Sequence, residues 1–279
     1  MSNRTWFITG ASRGFGRSFV QAALAAGDRV AATARDTSSL DDLVAEHGDS
    51  ILPVELDVTD RDAAFAAVRN AHDHFGRLDV VVNNAGYGVS GAIEELSEQQ
   101  ARSQFEVNLF GALWVTQAAL PIMREQRSGW IVQVSSIGGL AAFPLTGIYH
   151  ASKWALEGFS ETLRQEVEAF GIKILMVEPS GFRTDWAGSS MDRADPIDAY
   201  QEIDQIAERR ASQQEENNGS QPGNPELAAR ALLDTLNRDD PPFRLLLGNI
   251  AYDVAVDRYE TRLKEFRAGE QVARAADDR

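Results

Sequence analysis

No cysteine occurs among the 279 residues, which excludes disulfides, thiol catalysis and thiolate metal sites. Long apolar runs are missing as well. None approaches the roughly 18 residues that span a bilayer, so no membrane segment is expected. Positive charge is scarce: 27 lysines and arginines stand against 42 aspartates and glutamates, a net charge of −15. Such a chain is repelled by nucleic acid and by anionic membrane surfaces. The opening residues Met1-Ser2-Asn3-Arg4-Thr5-Trp6 carry no secretory pattern, and cytoplasmic residence is the expectation. The four histidines (His47, His72, His74 and His150) do not cluster as ligands, so no metal is expected.

What the chain does have is a rhythm. Strand-like segments at 5–9, 29–34, 51–56, 79–82, 130–134 and 173–177 alternate with helical ones at 14–26, 60–75, 98–123 and 149–170. The early strands are nearly continuous apolar runs, as a sheet covered on both faces requires. The alternation predicts an α/β fold: a Rossmann-type, doubly wound parallel β-sheet of about seven strands with helices on both faces. After Pro179 the rhythm breaks. Residues 185–222 mix aromatic, acidic and amide side chains and include a polar run at 211–220. Such a run suits either an inter-domain linker or a mobile lid over a site. A helix at 225–236, a strand at 243–247 and a helix at 250–266 follow. They cannot build a second core, so residues 1–279 are expected to form one domain, with 185–222 as its lid and 269–279 as a frayed tail.

Two constellations carry chemistry. Thr9-Gly10-Ala11-Ser12-Arg13-Gly14-Phe15-Gly16 lies between the first strand and the first helix. Glycines there let the backbone turn tightly, and a helix N-terminus offers unpaired N–H groups and a positive dipole end to a pyrophosphate. The spacing is Gly-x-x-x-Gly-x-Gly, not the commoner Gly-x-Gly-x-x-Gly. Further on, Tyr149 and Lys153 are four apart, which puts them on one face of a helix, and Ser136 precedes Tyr149 by thirteen residues. An ammonium beside a phenol favours the phenolate and lowers the tyrosine pKa. A tyrosine so tuned exchanges protons near neutral pH.

With both constellations placed, the chain resembles the short-chain dehydrogenase/reductases. The resemblance is carried by Thr9-Gly10 with Gly14-Phe15-Gly16, Asn83-Asn84-Ala85-Gly86, Asn108, Ser135-Ser136, Tyr149 with Lys153, and Pro179-Ser180-Gly181. These stand in the family's order and spacing across about residues 4–185. The C-terminal third matches only in layout. The resemblance implies that Tyr149 is the general acid in ketone reduction and the base in reverse. Lys153 would depress the Tyr149 pKa and bind the nicotinamide ribose. Ser136 would polarise the substrate carbonyl, Ser135 supporting the loop, and Asn108 would hold a water linking Lys153 to solvent. Asn84-Ala85-Gly86 would line the adenine side or brace the sheet. Asp57-Val58 would contact adenine, and Pro179, Gly181 and Thr184 would pack beside the nicotinamide. Most relatives carry Pro-Gly there, so the inserted Ser180 puts the contacts of that loop in doubt.

The second strand ends in Ala34, where NAD-selective enzymes carry an acid, and Arg35 follows. Arg35 and Arg13 suit a 2′-phosphate, which guanidinium groups grip in bidentate fashion, so NADP(H) is the expected cofactor. NAD(H) stays possible, since Asp36 reaches the ribose if the turn is shifted. Tyr87, Phe143, Phe182 and Trp186 are expected to line an apolar pocket for a small-molecule ketone or alcohol, though some of them suit ordinary core equally well. The expected activity is NADP(H)-dependent interconversion of ketone and secondary alcohol, as in carbonyl or hydroxysteroid-type reductases. The alternatives are an NAD-dependent alcohol dehydrogenase, a silent dinucleotide-sensing regulator, and an epimerase or dehydratase on the same scaffold. A homodimer or homotetramer is expected through the two long helices, with Trp114, Trp154 and Phe159 at the seam or facing the sheet.

Overall fold

The computed structural model describes residues 3–184, 190–215 and 221–277. Its strands are β1 (Thr5–Ile8), β2 (Arg29–Ala34), β3 (Ile51–Glu55), β4 (Val80–Asn83), β5 (Gly88–Ser90), β6 (Gly129–Val134), β7 (Ile172–Pro179), β8 (Met191–Arg193) and β9 (Arg244–Leu247). Seven of them form one parallel sheet in the order β3-β2-β1-β4-β6-β7-β9. This is the Rossmann-type sheet that the alternation predicts. Side chains alternate across it. Trp6, Ile8, Val80, Val82, Val132 and Val134 join one apolar core, whereas Phe7, Val81 and Ile131 join the other.

Helices α1 (Gly14–Ala25), α2 (Asp41–His47), α3 (Arg61–Phe75), α4 (Glu98–Phe105), α5 (Ala112–Gln126), α6 (Gly147–Val167), α7 (Asp198–Gln201), α8 (Asp204–Glu215), α9 (Pro225–Leu236), α10 (Asn249–Ala268) and α11 (Glu270–Arg274) complete the chain. α1 and α9 cover the first face through Phe19, Val20, Leu232 and Leu236. α3, α5 and α6 cover the second through Val68, Val115, Leu163 and Val167. Their ends are marked locally. Asp60 caps α3 by accepting from Ala63 N at 2.9 Å, and Gly76 closes it at φ 77°. Asn224 caps α9 with Pro225 at its first turn.

Four expectations change. The helix expected over 98–123 is α4, a π-helical segment Glu106–Gly111 and α5 in succession. The wide turn follows from Asn108, whose side chain bonds the Tyr87 backbone and Ser152 instead of lying along a regular helix face. The polar run at 211–220 is helical as far as the end of α8 at Glu215, and residues 216–220 lie outside the described residues. The segment expected to fray is helical over Glu270–Arg274. A parallel pair, β5 with β8, ties the expected lid to the body. Among the described residues, no helix is long and apolar enough to cross a membrane.

Candidate active site

The strand order reverses between β1 and β4, so the loops leaving their C-terminal ends diverge and open a crevice. Thr9 and Asn84 hold the two loops together. Thr9 Oγ1 accepts from Asn84 N and Ala85 N, both at 2.9 Å, and Asn84 Nδ2 donates to the carbonyls of Thr9 at 2.9 Å and Gly10 at 3.1 Å. Asn84 is thus a brace of the glycine loop, while buried Asn83 bonds Thr116 Oγ1. Gly10 sits at φ 66°, and a Cβ on Gly16 would collide with the Gly10 carbonyl oxygen. Both positions require glycine. The N-terminus of α1 has no side-chain cap and no acid in its first turn. Its free N–H groups suit an anion such as a pyrophosphate.

The other loop residues fall around this cradle. Arg13 is exposed and donates to Ser190 Oγ at 2.8 Å. Arg35 is exposed just beyond β2. Asp36 turns its carboxylate onto Ser38 N at 3.0 Å, and that hydrogen bonding lowers its pKa. Phe15 packs its ring between Phe19 and Phe182, so only its backbone faces the cradle. Asp57 is exposed and accepts from Thr59, whereas the Val58 side chain is core. Thr184 lies opposite Gly14: a Cβ there would be 3.5 Å from Thr184 Cβ.

Beyond Gly86 the chain meets the hydroxyl and amine groups. A Cβ on Gly86 would lie 3.2 Å from Asn108 Oδ1 and 3.6 Å from Lys153 Nζ. Asn108 donates to Tyr87 O at 3.0 Å and Ser152 Oγ at 3.1 Å, and accepts from Tyr87 N. Ser136 follows β6, accepts from Gly138 N at 3.0 Å and hydrogen-bonds Tyr149. Lys153 is 5% exposed; its Nζ donates to Val134 O at 2.8 Å and stands 5.9 Å from the Tyr149 ring centroid. His150, beside Tyr149, is buried, shares a hydrogen bond with Thr146 Oγ1 at 3.1 Å, and is held neutral by burial and Arg209, its pKa lowered to about 4.

The electrostatics reverse one expectation. Lys153 does not dominate Tyr149. Burial pushes the phenol up to about 12, opposed only by the Ser136 hydrogen bond. Burial also pulls Lys153 down to about 8, with Glu157 opposing. In a dry setting neither charged form is favoured, and the ammonium is spent on the Val134 carbonyl instead of the phenol. The tyrosine therefore carries its proton at neutral pH.

The expected pocket aromatics divide. Phe182 is 9% exposed and belongs to the core between β7, α1 and α9, packed on Phe15 with ring centroids 5.0 Å apart. Phe143 lies in a small apolar cluster with Ile137, Leu140 and Ala251 of α10. Phe182 fills a gap between elements that the sequence left unplaced, whereas Phe143 is half-buried. Tyr87 is half-buried, its pKa raised by burial and by Asp192. Trp186 lies outside the described residues. Ser180 turns its hydroxyl to Leu247 O at 3.3 Å, and Gly181 O accepts from Gly223 N. A feature absent from the sequence reading is Glu95. Its carboxylate accepts from Ala92 N, Ile197 N and Arg210 Nη2, pinning α8 and the segment before α7 to the body. Among the described residues, no group of three or more His, Cys, Asp or Glu is arranged for a metal.

A doubly wound parallel sheet whose strand ends gather a glycine-lined helix N-terminus and a half-buried Ser136 beside buried Tyr149 and Lys153 defines an α/β oxidoreductase. The profile described as short chain dehydrogenase matches residues 4–195. The chain is 45% identical over 256 residues to the oxidoreductase BOA17 of Botryotinia fuckeliana, covering 90% of this chain and 91% of that one. A short-chain dehydrogenase from Streptomyces avermitilis superposes with a TM-score of 0.93 at 41% identity, covering 99% of this chain and 100% of that one. A short-chain dehydrogenase/reductase from Burkholderia phymatum in complex with NAD superposes at 0.80 with 26% identity, covering 95% and 97%. The chain belongs to the short-chain dehydrogenase family, oxidoreductases acting on CH–OH and C=O groups.

A lysine whose folded pKa is lowered to about 8 costs stability wherever the unfolded chain would be charged. The cost is full below pH 8 and is relieved between pH 8 and the ordinary lysine value. Lys153→Met should therefore stabilise the ligand-free protein at pH 7 by about 2 kcal/mol, the desolvation cost less one lost hydrogen bond. Urea unfolding at pH 7 and pH 10.5 measures this. The gain should shrink at the higher pH, and a variant less stable than the parent at pH 7 contradicts the argument.

Proposed function

We propose that this protein interconverts ketones and secondary alcohols with NADP(H), and that Tyr149 exchanges the proton. The observation that carries this reading is a buried, neutral phenol hydrogen-bonded to Ser136 one helical turn from Lys153. A carbonyl oxygen placed against the two hydroxyls accepts from both. Donors aimed at developing negative charge are worth about 3 kcal/mol each. Tyr149 then gives its proton to that oxygen as the alkoxide forms. The phenolate left in a dry site is stabilised by Lys153, which is protonated below about pH 8. Asn108 holds the π-helical turn against Tyr87 and Ser152, fixing the wall opposite Lys153. When bound, the nicotinamide supplies the hydride.

The residues fit that cofactor. The uncapped α1 N-terminus suits the pyrophosphate, and Arg13 and Arg35 suit a 2′-phosphate. Ala34 offers no carboxylate to the ribose, and Asp36 is turned onto its own cap. The Burkholderia relative holds NAD; the preference for NADP(H) rests on this chain's own arginines. The substrate is a small carbonyl compound with an apolar body. With Phe182 in the core, that apolar character rests on Tyr87 and the half-buried Phe143 among the described aromatics.

Self-association belongs to the same reading. The seam expected on α5 and α6 is partly covered, since Trp114 is half-buried and Arg262 of α10 lies 4.2 Å from the Trp154 ring centroid. α10 exposes Tyr252, Val256, Tyr259, Leu263 and Phe266, an alternation of four and three residues that suits a partner helix from a second copy.

Three outcomes test this reading. Tyr149→Phe should lower ketone reduction 10²–10⁴-fold, the range of general acid catalysis, with NADPH affinity retained in a fluorescence titration; a variant at the parent rate removes the mechanism. Arg35→Ala should weaken NADPH at least about tenfold and leave NADH nearly unchanged. Light scattering should find a dimer or larger assembly, and Leu263→Glu should shift it toward the monomer.

A further inference from the structure

Behind Lys153 lies a set of buried charges that the proposed reaction does not use. Glu157 is one turn along α6 and 6% exposed; Glu178, on β7, is fully buried. Arg244 of β9 donates to Glu157 Oε2 and to Glu161 Oε1, each at 2.5 Å, and to Glu178 Oε1. Ser135, the neighbour of Ser136, points to the same place. Its hydroxyl and Glu157 Oε1 would lie 2.6 and 2.9 Å from a Cβ on Gly139, and the hydroxyl hydrogen-bonds the Glu157 carboxylate. The carboxyl groups of Glu178 and Glu157 also hydrogen-bond each other. The peptide between Val134 and Ser135 thus offers its carbonyl to Lys153 and its next side chain to Glu157.

We propose that Glu157 is a positioning residue for the reaction, supplying the negative charge that keeps the Lys153 ammonium on the Val134 carbonyl, while Arg244, Glu178 and Ser135 hold Glu157 in place. This rests on the reading of Tyr149 and Lys153 as the reacting pair. No ion pair joins Lys153 to Glu157 directly; the carboxylate acts through space across Ser135, and it opposes the burial that draws protons off the lysine. Burial, with Glu157 beside it, raises Glu178 to about 8, so it is protonated at neutral pH. Burial raises Glu157 as well, opposed by the Ser135 hydroxyl and Arg244; Glu178 has only Arg244 to oppose its burial, so the negative charge of the pair rests on Glu157, between Lys153 and Arg244. The other ionisable groups facing the cluster are Tyr149 and Glu161 of α6 and Tyr259 and Arg262 of α10. Structural duty is a poor account of this arrangement, because buried ion pairs contribute little net stability compared with apolar packing.

The chain contains only three lysines, Lys153, Lys173 and Lys264. With ¹³C-labelled lysine, NMR shows three side-chain signals, and the one missing from Lys153→Met belongs to Lys153. Its titration midpoint is read in the ligand-free protein, so no turnover is required. Glu157→Gln should lower that midpoint by about one unit, a tenfold loss of proton affinity, and Glu157→Asp should restore most of it. The alkaline limb of kcat for ketone reduction should move by the same amount, so the loss in Glu157→Gln is larger at pH 9 than at pH 6. Should the glutamine variant not fold, Glu157→Met supplies the same comparison with apolar packing. An unmoved midpoint in a folded variant, an aspartate variant as low as the glutamine one, or a kinetic limb that ignores the shift overturns the proposal. An active Tyr149→Phe removes the functional reading instead, and the lysine titration stands apart from it.

Discussion

A tyrosine and a lysine kept out of water are the constraint on which the rest of the site is arranged. Desolvation penalises the phenolate and the ammonium alike, so the pair settles with the phenol protonated and the amine holding its proton loosely. Each then needs polar company that does not readmit solvent. Ser136 gives it to the phenol, the Val134 carbonyl to the amine, and Ser152 ties the neighbouring turn to Asn108. A site of this kind works against stability. The two apolar layers around Phe19 and Val68 are what let the fold tolerate it.

The sheet topology brings these groups together. The glycine loop leaves β1, the Asn84–Gly86 loop leaves β4, Ser136 leaves β6 and Pro179–Gly181 leaves β7, all at the same edge, because parallel strands present their C-terminal ends together. Three of the four loops are then cross-tied: Asn84 to Thr9, Gly86 close to Lys153, and Thr184 against Gly14. The fourth ends on Ser136, which caps the short helical turn before the Tyr149 helix. A shift in any one strand end is felt at the same few ångströms of space.

Much of this was legible in the chain. Buried parallel strands are continuous apolar runs, so β4 and β7 stand out, and helices such as α3 and α9 announce their ends through Asp60, Gly76 and Asn224. The motif residues were legible because their spacing is written locally. What was hidden is non-local or depends on dielectric. α2 buries little beyond Leu43 and has no strong stripe. β5 and β8 are three residues each and pair across a long stretch of chain. The π-helical turn shifts the backbone without altering the side-chain pattern. Phe182 has the composition of a pocket wall, and only packing assigns it to the core. Helical spacing placed Lys153 near Tyr149, but not the direction in which its ammonium points, and so the sign of the phenol's shift was missed. Glu157, Glu178 and Arg244 meet from three separate elements.

The overall charge sharpens the question of how a chain carrying −15 receives the polyanionic dinucleotide we propose. Distance resolves it. Repulsion from most of the 42 acids is screened beyond about 10 Å at ordinary ionic strength, so the nearest groups decide. Within the cradle the helix N-terminus is uncapped and free of acids, and Asp36 and Asp57 turn their carboxylates onto their own backbone neighbours. Arg13 and Arg35 stand exposed beside it, and Arg17 is neutralised by Asp42 a little further off. Of the lid acids, Asp192 on β8 lies near enough to Tyr87 to help raise its pKa. On the proposed reading, an acid so close to Tyr87 favours an uncharged carbonyl compound over an anionic one, while the glycine loop keeps its own acids turned away.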